Sequence, residues 1–213
     1  MHFISEELEQ YAHNHTSAGS ALLDELERAT WQKMINPRML SGHLQGRFLA
    51  LISQMLSPRL VVEIGTYTGY SALCLLEGLA EDGILITMDI NDELDSMHQK
   101  YLLRHERSSA VKRWFGDARE LIANLPDAID LVFIDADKTN YLHYYEALIP
   151  KVRRGGVVLI DNVLWSGKVI EPLKAGDEDT RVLVALNERV QQDPRVENVL
   201  LPLRDGLMMV RKV

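Results

Sequence analysis

The hydrophobic period changes partway along the chain. Through the first 57 residues apolar positions recur three and four apart, the spacing of a helix with one buried face. "ISEELEQYAHNH" (4–15) predicts a short helix that starts on acids, "SALLDELERATWQKM" (20–34) a second, and "LQGRFLALISQML" (44–56) a third. Asn36-Pro37 separates the last two, because the residue before a proline is pushed out of helical backbone. Beyond Ser57-Pro58 compact β-branched runs take over: "LVVEI" (60–64), "ILITMDI" (84–90), "LVFID" (131–135) and "VVLID" (157–161), with "VKRWF" (111–115) a weaker member. Between them lie the helix-like "YSALCLLEGLA", "DELDSMHQKYLLRHE" and "YLHYYEALIPKV". Such alternation predicts parallel βαβ units whose strands are buried on both faces.

The end of the chain departs from this pattern. "DEDTRVLVALNERVQQD" predicts a helix with acids in its first turn. "VENVLLPL" and "LMMVRKV" then flank Arg204-Asp205-Gly206, a turn short enough to permit only an antiparallel pair. The expected fold is therefore α/β, a doubly wound sheet with a C-terminal antiparallel hairpin and helices at the N-terminus. One domain is expected over 1–213, made of a helical segment (1–57) and an α/β core (58–213).

Composition narrows the function classes. At 213 residues and 46% hydrophobic the chain can bury one sizeable core. A net charge of −8 offers no general attraction to nucleic acid or an anionic membrane. The single cysteine, Cys74, excludes an internal disulfide and a cysteine-cluster metal site, and it fits a reducing compartment. The N-terminus turns acidic at Glu6 without a long apolar core, so no secretory signal is expected. No apolar run approaches the roughly 20 residues of a membrane span. A cytoplasmic protein is the expectation.

Two constellations carry chemistry. The first is "VVEIGTYTGYSAL", a strand that ends in a glycine turn and opens a helix. Ligands of doubly wound sheets sit at the carboxyl ends of the strands. Gly65 and Gly69 allow a tight turn and a close backbone approach. Glu63 ends this strand and Asp89 the next, where an acid commonly binds ribose hydroxyls. The spacing is not the G-x-G-x-x-G of dinucleotide binders, and no G-x-x-x-x-G-K-[ST] phosphate loop occurs. An acid beside the turn suits a cationic or zwitterionic ligand, and S-adenosylmethionine has a ribose, an amino group and a sulfonium. A plain packing turn is the competing explanation.

The second lies in "FIDADKTNY" and "LIDNVLW". Asp135 ends one strand, and Asp161 with Asn162 ends another. If the two strands are neighbours, two carboxylates and an amide form a hard oxygen site suited to Mg²⁺, Mn²⁺ or Ca²⁺ rather than zinc. Ordinary strand-ending turn chemistry would use the same residues. Lys138 lies three residues beyond Asp135, and a desolvated lysine there is equipped to act as a base; an ordinary surface lysine is the alternative.

With these residues in view, "VVEIGTYTGYSAL", "TMDIN", "GDARELI", "DLVFIDADKTNY", "GGVVLIDNVLWSGKV" and "LPLRDGLMMVRK" resemble the cation-dependent O-methyltransferases. That family includes caffeoyl-CoA O-methyltransferase and its bacterial relatives, with catechol O-methyltransferase more distant. The likeness runs in consistent order from about Met39 to the C-terminus. It implies a Rossmann-like methyltransferase sheet and an enzyme of the EC 2.1.1 class. Implied S-adenosylmethionine contacts are Glu63, Gly65, Tyr67, Gly69, Ser71, Asp89, Asp117, Ala118 and Asp135, with Met39 opening a segment that closes the site at Gly46. An acid common in the family shortly before that glycine is missing here, where the chain reads "HLQG". Implied metal ligands are Asp135, Asp161 and Asn162, with Mg²⁺ favoured; the catalytic pair is Lys138 and Asp135, and Trp165 stands with Lys138 beside the acceptor. The resemblance also implies a homodimer and a vicinal dihydroxy aromatic as the methyl acceptor.

Other readings compete. Basic residues in "KVRRGG" and "MVRKV" raise a hydroxylated tRNA base as acceptor, against which the net charge argues. A module that holds the cofactor without turnover is a second, and a nicotinamide oxidoreductase, lacking the glycine spacing, a distant third. His13 and His15 are expected to face water. Cys74, Tyr141 and Tyr145 are expected in the core, with Asp137 either a turn residue or a support for the residues around it.

Overall fold

A computed structural model describes residues 5–213, so Ile4, where the first helix is expected to begin, lies outside the described residues. The described chain divides into two compact units, Ser5–Gly116 and Asp117–Val213.

The first unit opens with three helices, α1 (Glu6–Asn14), α2 (Ala21–Lys33) and α3 (Gly42–Leu56). Ser5 and Ser20 cap the first two, their side chains accepting from the amides of Leu8 and Leu23. A short 3₁₀ turn at Pro37–Met39 fills the expected break. There follow β1 (Leu60–Ile64), α4 (Tyr70–Leu76), β2 (Ile84–Asp89), α5 (Asp95–Lys100) and β3 (Val111–Phe115). The three strands run parallel in the order β3-β2-β1, with Val62 opposite Ile86 and Asp89 opposite Phe115. Val61, Val62, Leu85 and Met88 are fully buried, as two-sided strands require.

Two helices of this unit are shorter than the period predicts. The expected helix over 92–106 is instead α5 between 3₁₀ turns at Asp92–Leu94 and Leu102–Arg104. Tyr101 leaves helical geometry at φ −119°, and the following turn carries Leu102 into the core against Gly69. Helix α4 stops at Leu76 because the chain must pass Gly78 beneath α3. A Cβ at Gly78 would lie 2.0 Å from the carbonyl carbon of Ser53. Ser53 fixes this crossing by donating to the Leu75 carbonyl at 2.6 Å.

The second unit contains α6 (Ala118–Leu121), β4 (Ile129–Ile134), α7 (Tyr141–Leu148), β5 (Val152–Asp161), α8 (Glu178–Gln191), β6 (Val196–Leu201) and β7 (Leu207–Lys212). Its strand order is β4-β5-β7-β6. β4 and β5 are parallel with Ile134 opposite Ile160, whereas β7 is antiparallel to both β5 and β6. β5 starts earlier than expected, and a bulge between Val152 and Val157 absorbs the extra residues.

The hairpin turn does more than join β6 to β7. The carbonyls of Asp205 and Gly206 accept from the amides of Leu164 (2.9 Å) and Val163 (3.1 Å), and the Asp205 side chain accepts from the Ser166 amide. Gly206, at φ 89°, has Leu164 so close that a Cβ would meet its amide nitrogen at 2.7 Å. The turn thereby braces residues 162–166, the loop that leaves β5.

The α3–α4 crossing yields a stability prediction. Gly78→Ala drives a methyl into backbone that cannot yield locally, and should cost about 1–3 kcal/mol or more by overpacking. Gly46→Ala, whose Cβ would have as its nearest neighbours the side chains of Tyr70 (2.7 Å) and Cys74 (2.9 Å), should cost less. Urea midpoints of the two variants check the order.

Candidate functional site

The sequence-predicted residues are divided between the two units. In the first unit the turn after β1 contains Gly65 (φ 99°), Tyr67 (φ 47°) and Gly69 (φ 95°). For the two glycines this backbone is free of strain. For Tyr67 it costs on the order of 1–3 kcal/mol and must be held by its surroundings. Three hydrogen bonds hold it. The Tyr67 amide donates to Asp89 Oδ2 at 2.7 Å, its carbonyl accepts from His98 Nε2 at 2.7 Å, and its hydroxyl donates to the Asn36 carbonyl at 3.1 Å. Asp89 also accepts from the Asn91 amide at 2.9 Å, so one carboxylate at the end of β2 organises both its own exit and the neighbouring turn. Carboxylate oxygens accept more than one hydrogen bond each, which leaves Asp89 capacity for ribose hydroxyls.

Glu63 is fully buried and accepts from Thr87 Oγ1 at 2.5 Å, within a chain of hydroxyls that continues to Thr66 at 2.5 Å. Ser71 is buried at the start of α4. Met39 is 57% exposed on its 3₁₀ turn. Gly46, the end of the expected closing segment, is needed for packing against Tyr70 and Cys74. Cys74 is a core residue whose thiol burial pushes up to about 12, which leaves it inert.

In the second unit the β4–β5 register brings Asp135 and Asp161 off adjacent parallel strands at the same level, each one residue past the Ile134–Ile160 pair. Asp161 is 2% exposed, and its Oδ1 accepts from the Asn162 amide at 2.9 Å. Asn162 then turns the chain at φ 60°, a conformation asparagine tolerates. Among the described residues no group of three or more His, Cys, Asp or Glu side chains could hold a metal. The set here is two carboxylates and an amide.

Lys138 lies in the same place and is 9% exposed. Its Nζ donates to Asp135 Oδ1 (3.1 Å), to the Ala136 carbonyl (3.0 Å) and to the Tyr141 hydroxyl (2.6 Å). The Tyr141 oxygen also accepts from the Ala136 amide at 3.2 Å. Burial raises the Tyr141 pKa well above that of a free phenol, and the nearby charges of Asp135 and Asp161 raise it further, so the hydroxyl stays neutral. Trp165, at φ 46°, lies with its ring centroid 5.9 Å from Lys138 Nζ and carries a buried indole nitrogen without a partner.

Tyr141 is the residue that the sequence reading undervalued. It is fully buried, as expected, yet its hydroxyl is the shortest contact of Lys138. The available signal was the three-residue spacing from Lys138 across a helical turn, which puts both on one face. Asp137 is a turn residue, as expected, accepting from the Tyr144 hydroxyl at 2.6 Å. Asp117 caps α6 and pairs with Arg119, which lowers its pKa, and Ala118 is buried beside it. His13 and His15 are exposed, His13 ring to ring with His43 at 4.4 Å.

The basic stretches are largely occupied. Arg153 pairs with Asp130, Lys151 donates to the Leu125 carbonyl, Arg211 pairs with Glu197, and Lys212 caps the carbonyls of Ile149, Pro150 and Val152.

Comparison with known proteins bears on both sets. Residues 13–213 match the family profile described as O-methyltransferase. A protein of Dictyostelium discoideum named probable caffeoyl-CoA O-methyltransferase 2 is 30% identical over 208 residues, covering 95% of this chain and 90% of that relative. Caffeoyl-CoA O-methyltransferase of Medicago sativa is 32% identical over 180 residues, covering 79% of this chain and 73% of its own. The O-methyltransferase of Bacillus cereus, solved in complex with S-adenosylhomocysteine, superposes with a TM-score of 0.88 at 27% identity, over 97% of each chain. The S-adenosylhomocysteine-bound methyltransferase of Podospora anserina gives the same TM-score at 24% identity over 99% of this chain and 97% of that one, a likeness of fold. The fold is accordingly the Rossmann-like methyltransferase sheet with its C-terminal antiparallel hairpin. From these matches, which span nearly all of the sequence, it follows that the chain belongs to the O-methyltransferase family and is an S-adenosylmethionine-dependent enzyme.

Proposed function

We propose that the chain is one methyltransferase domain that moves a methyl group from S-adenosylmethionine to a hydroxyl of a small vicinal dihydroxy aromatic, with a divalent cation held by Asp135, Asp161 and Asn162. The observation that carries this reading is the position of Asp135 and Asp161, each one residue past the Ile134–Ile160 pair of adjacent parallel strands, with a buried lysine against Asp135. The donor set fits such an ion: carboxylate and amide oxygens favour Mg²⁺ first, then Mn²⁺ or Ca²⁺. When bound, the cation would favour the ionised form of two adjacent acceptor oxygens, and S-adenosylmethionine supplies the methyl group. Relatives named for a caffeoyl-CoA acceptor support an aromatic substrate.

The chain's own residues then have distinct tasks. Glu63, Gly65, Tyr67, Gly69, Ser71 and Asp89 hold the cofactor's amino acid and ribose portions, with Met39, Asp117, Ala118 and Asp135 contributing further contacts. Lys138 orients the attacking hydroxyl and takes its proton. In the arrangement seen, all three Lys138 donors are engaged, so the group meets the acceptor as a pinned ammonium and must first give up one of these protons before its nitrogen can take the proton of the attacking hydroxyl. Trp165 forms a wall for the acceptor ring.

A hydroxylated tRNA base as acceptor gains little from the basic stretches, since most of their side chains are already paired or capping carbonyls. We further propose a cytoplasmic homodimer. No helix among the described residues is long and apolar enough to cross a membrane. Leu8, Tyr11, Trp31, Leu51 and Met55, all on the N-terminal helices and more than half exposed, are the candidate interface.

Asp161→Ala should abolish divalent-dependent methylation of catechol-like acceptors while S-adenosylhomocysteine still binds; undiminished turnover in excess chelator rejects the metal. Lys138→Met should lower kcat by about 10²-fold or more. Tyr141→Phe keeps the ring and removes one partner of the ammonium, so kcat should fall about tenfold with KM for the cofactor unchanged. Methyl-transfer rates on a panel of vicinal diols read both. Light scattering should return a particle of twice the chain mass, and a monomer at micromolar concentration removes the dimer.

A further inference from the structure

The motifs read from the sequence leave one buried titratable group beside the cofactor turn without a role. His98, on α5, is 1% exposed, and its Nε2 lies 2.7 Å from the carbonyl oxygen of Tyr67. We propose that His98 is a positioning residue for the cofactor, holding Tyr67 in the left-handed conformation that sets the Gly65–Gly69 turn. The proposal rests on the assignment of that turn to S-adenosylmethionine.

The carbonyl partner settles the tautomer. A carbonyl only accepts, so the ring proton sits on Nε2 and Nδ1 is a bare acceptor. Nδ1 is buried and has no hydrogen-bond partner. Leaving a buried acceptor unpaired is unfavourable, so stability alone would favour an apolar side chain at this position. Burial keeps the imidazole pKa below its ordinary value, consistent with a neutral donor. What the histidine contributes is the Nε2 donor, delivered to one particular carbonyl.

That carbonyl matters because of its conformation. Tyr67 at φ 47° is a bulky residue in backbone that bulky residues avoid. Its amide reaches Asp89 and its carbonyl reaches His98, so the two bonds clamp one strained residue from both sides. Phe115, with its ring centroid 6.1 Å from that of His98 in stacked orientation, packs against the imidazole and steadies its angle. Releasing the carbonyl lets Tyr67 relax and draws its amide away from Asp89, the acid assigned to the ribose. The turn would then have to be reorganised on each binding event.

The test is calorimetric binding of S-adenosylhomocysteine to the full chain, with melting temperatures recorded for every variant. His98→Leu fills the site without a donor and should weaken binding about tenfold, the loss of one hydrogen bond, with the melting temperature unchanged or raised. His98→Gln offers an amide nitrogen at similar reach and should restore affinity. His98→Asn, too short to reach, should behave like His98→Leu, and this pair decides the matter if the leucine variant fails to fold. The proposal is overturned if His98→Leu binds as tightly as the natural chain, or if glutamine is as weak as asparagine. Asp89→Ala serves as the reference arm. If Asp89→Ala also leaves affinity unchanged, the turn is not the cofactor site and the role of His98 falls with it; if Asp89→Ala weakens binding and His98→Leu does not, only His98 is misassigned.

Discussion

A lysine ammonium withdrawn from water must have its protons accepted by the protein, and at the end of β4 this demand organises the surroundings. Lys138 is 9% exposed and finds a carboxylate, a main-chain carbonyl and a phenolic oxygen. An unpaired charge in that position would cost several kcal/mol, so the three partners are conditions for folding. Asp135 must leave the strand toward Nζ, the Ala136 peptide must present its carbonyl, and α7 must begin with a side chain that is apolar along its length and polar at its tip. Tyr141 meets the last condition: its ring is in the core with Tyr145 and Leu148 while its oxygen faces Nζ.

The first unit solves a related problem with backbone instead of charge. A turn that lets main chain approach a ligand needs left-handed residues, and the sequence supplies two glycines and one tyrosine. The tyrosine is the strained member, and its clamps come from β2, from α5 and from the segment before the Pro37 turn. Thr68 is steadied from α2 through Thr30, whose hydroxyl donates to it at 3.1 Å. The N-terminal helices therefore help to set the conformation of the turn.

How much of this could be read in the sequence depends on whether the governing contacts are local. The strands were legible, because short β-branched runs ending in Asp or Gly can be little else in an alternating chain. The adjacency of Asp135 and Asp161 was legible conditionally, since two "ID" strand ends become neighbours once their strands pair in parallel. The helix over 92–106 was not. Its period is helical, but packing of Leu102 against Gly69 breaks it, and no local signal marks that contact. His98 was hidden for the same reason: its partner lies 31 residues away in sequence. Tyr141 was misjudged in degree, because an apolar pattern reports where a ring is buried and says nothing of where its oxygen points.

The C-terminal hairpin makes a distant loop vulnerable. Residues 162–166 depend for their main-chain partners on Asp205 and Gly206, and β5 is paired by β7 up to Asp161 opposite Leu207. A proteolytic nick between Arg204 and Gly206 would leave the parallel pairing of β4 and β5 intact yet free the main chain around Asn162 and Trp165. Damage at this surface turn would thus be felt in a loop about forty residues earlier in sequence, which makes the hairpin a sensitive point out of proportion to its size.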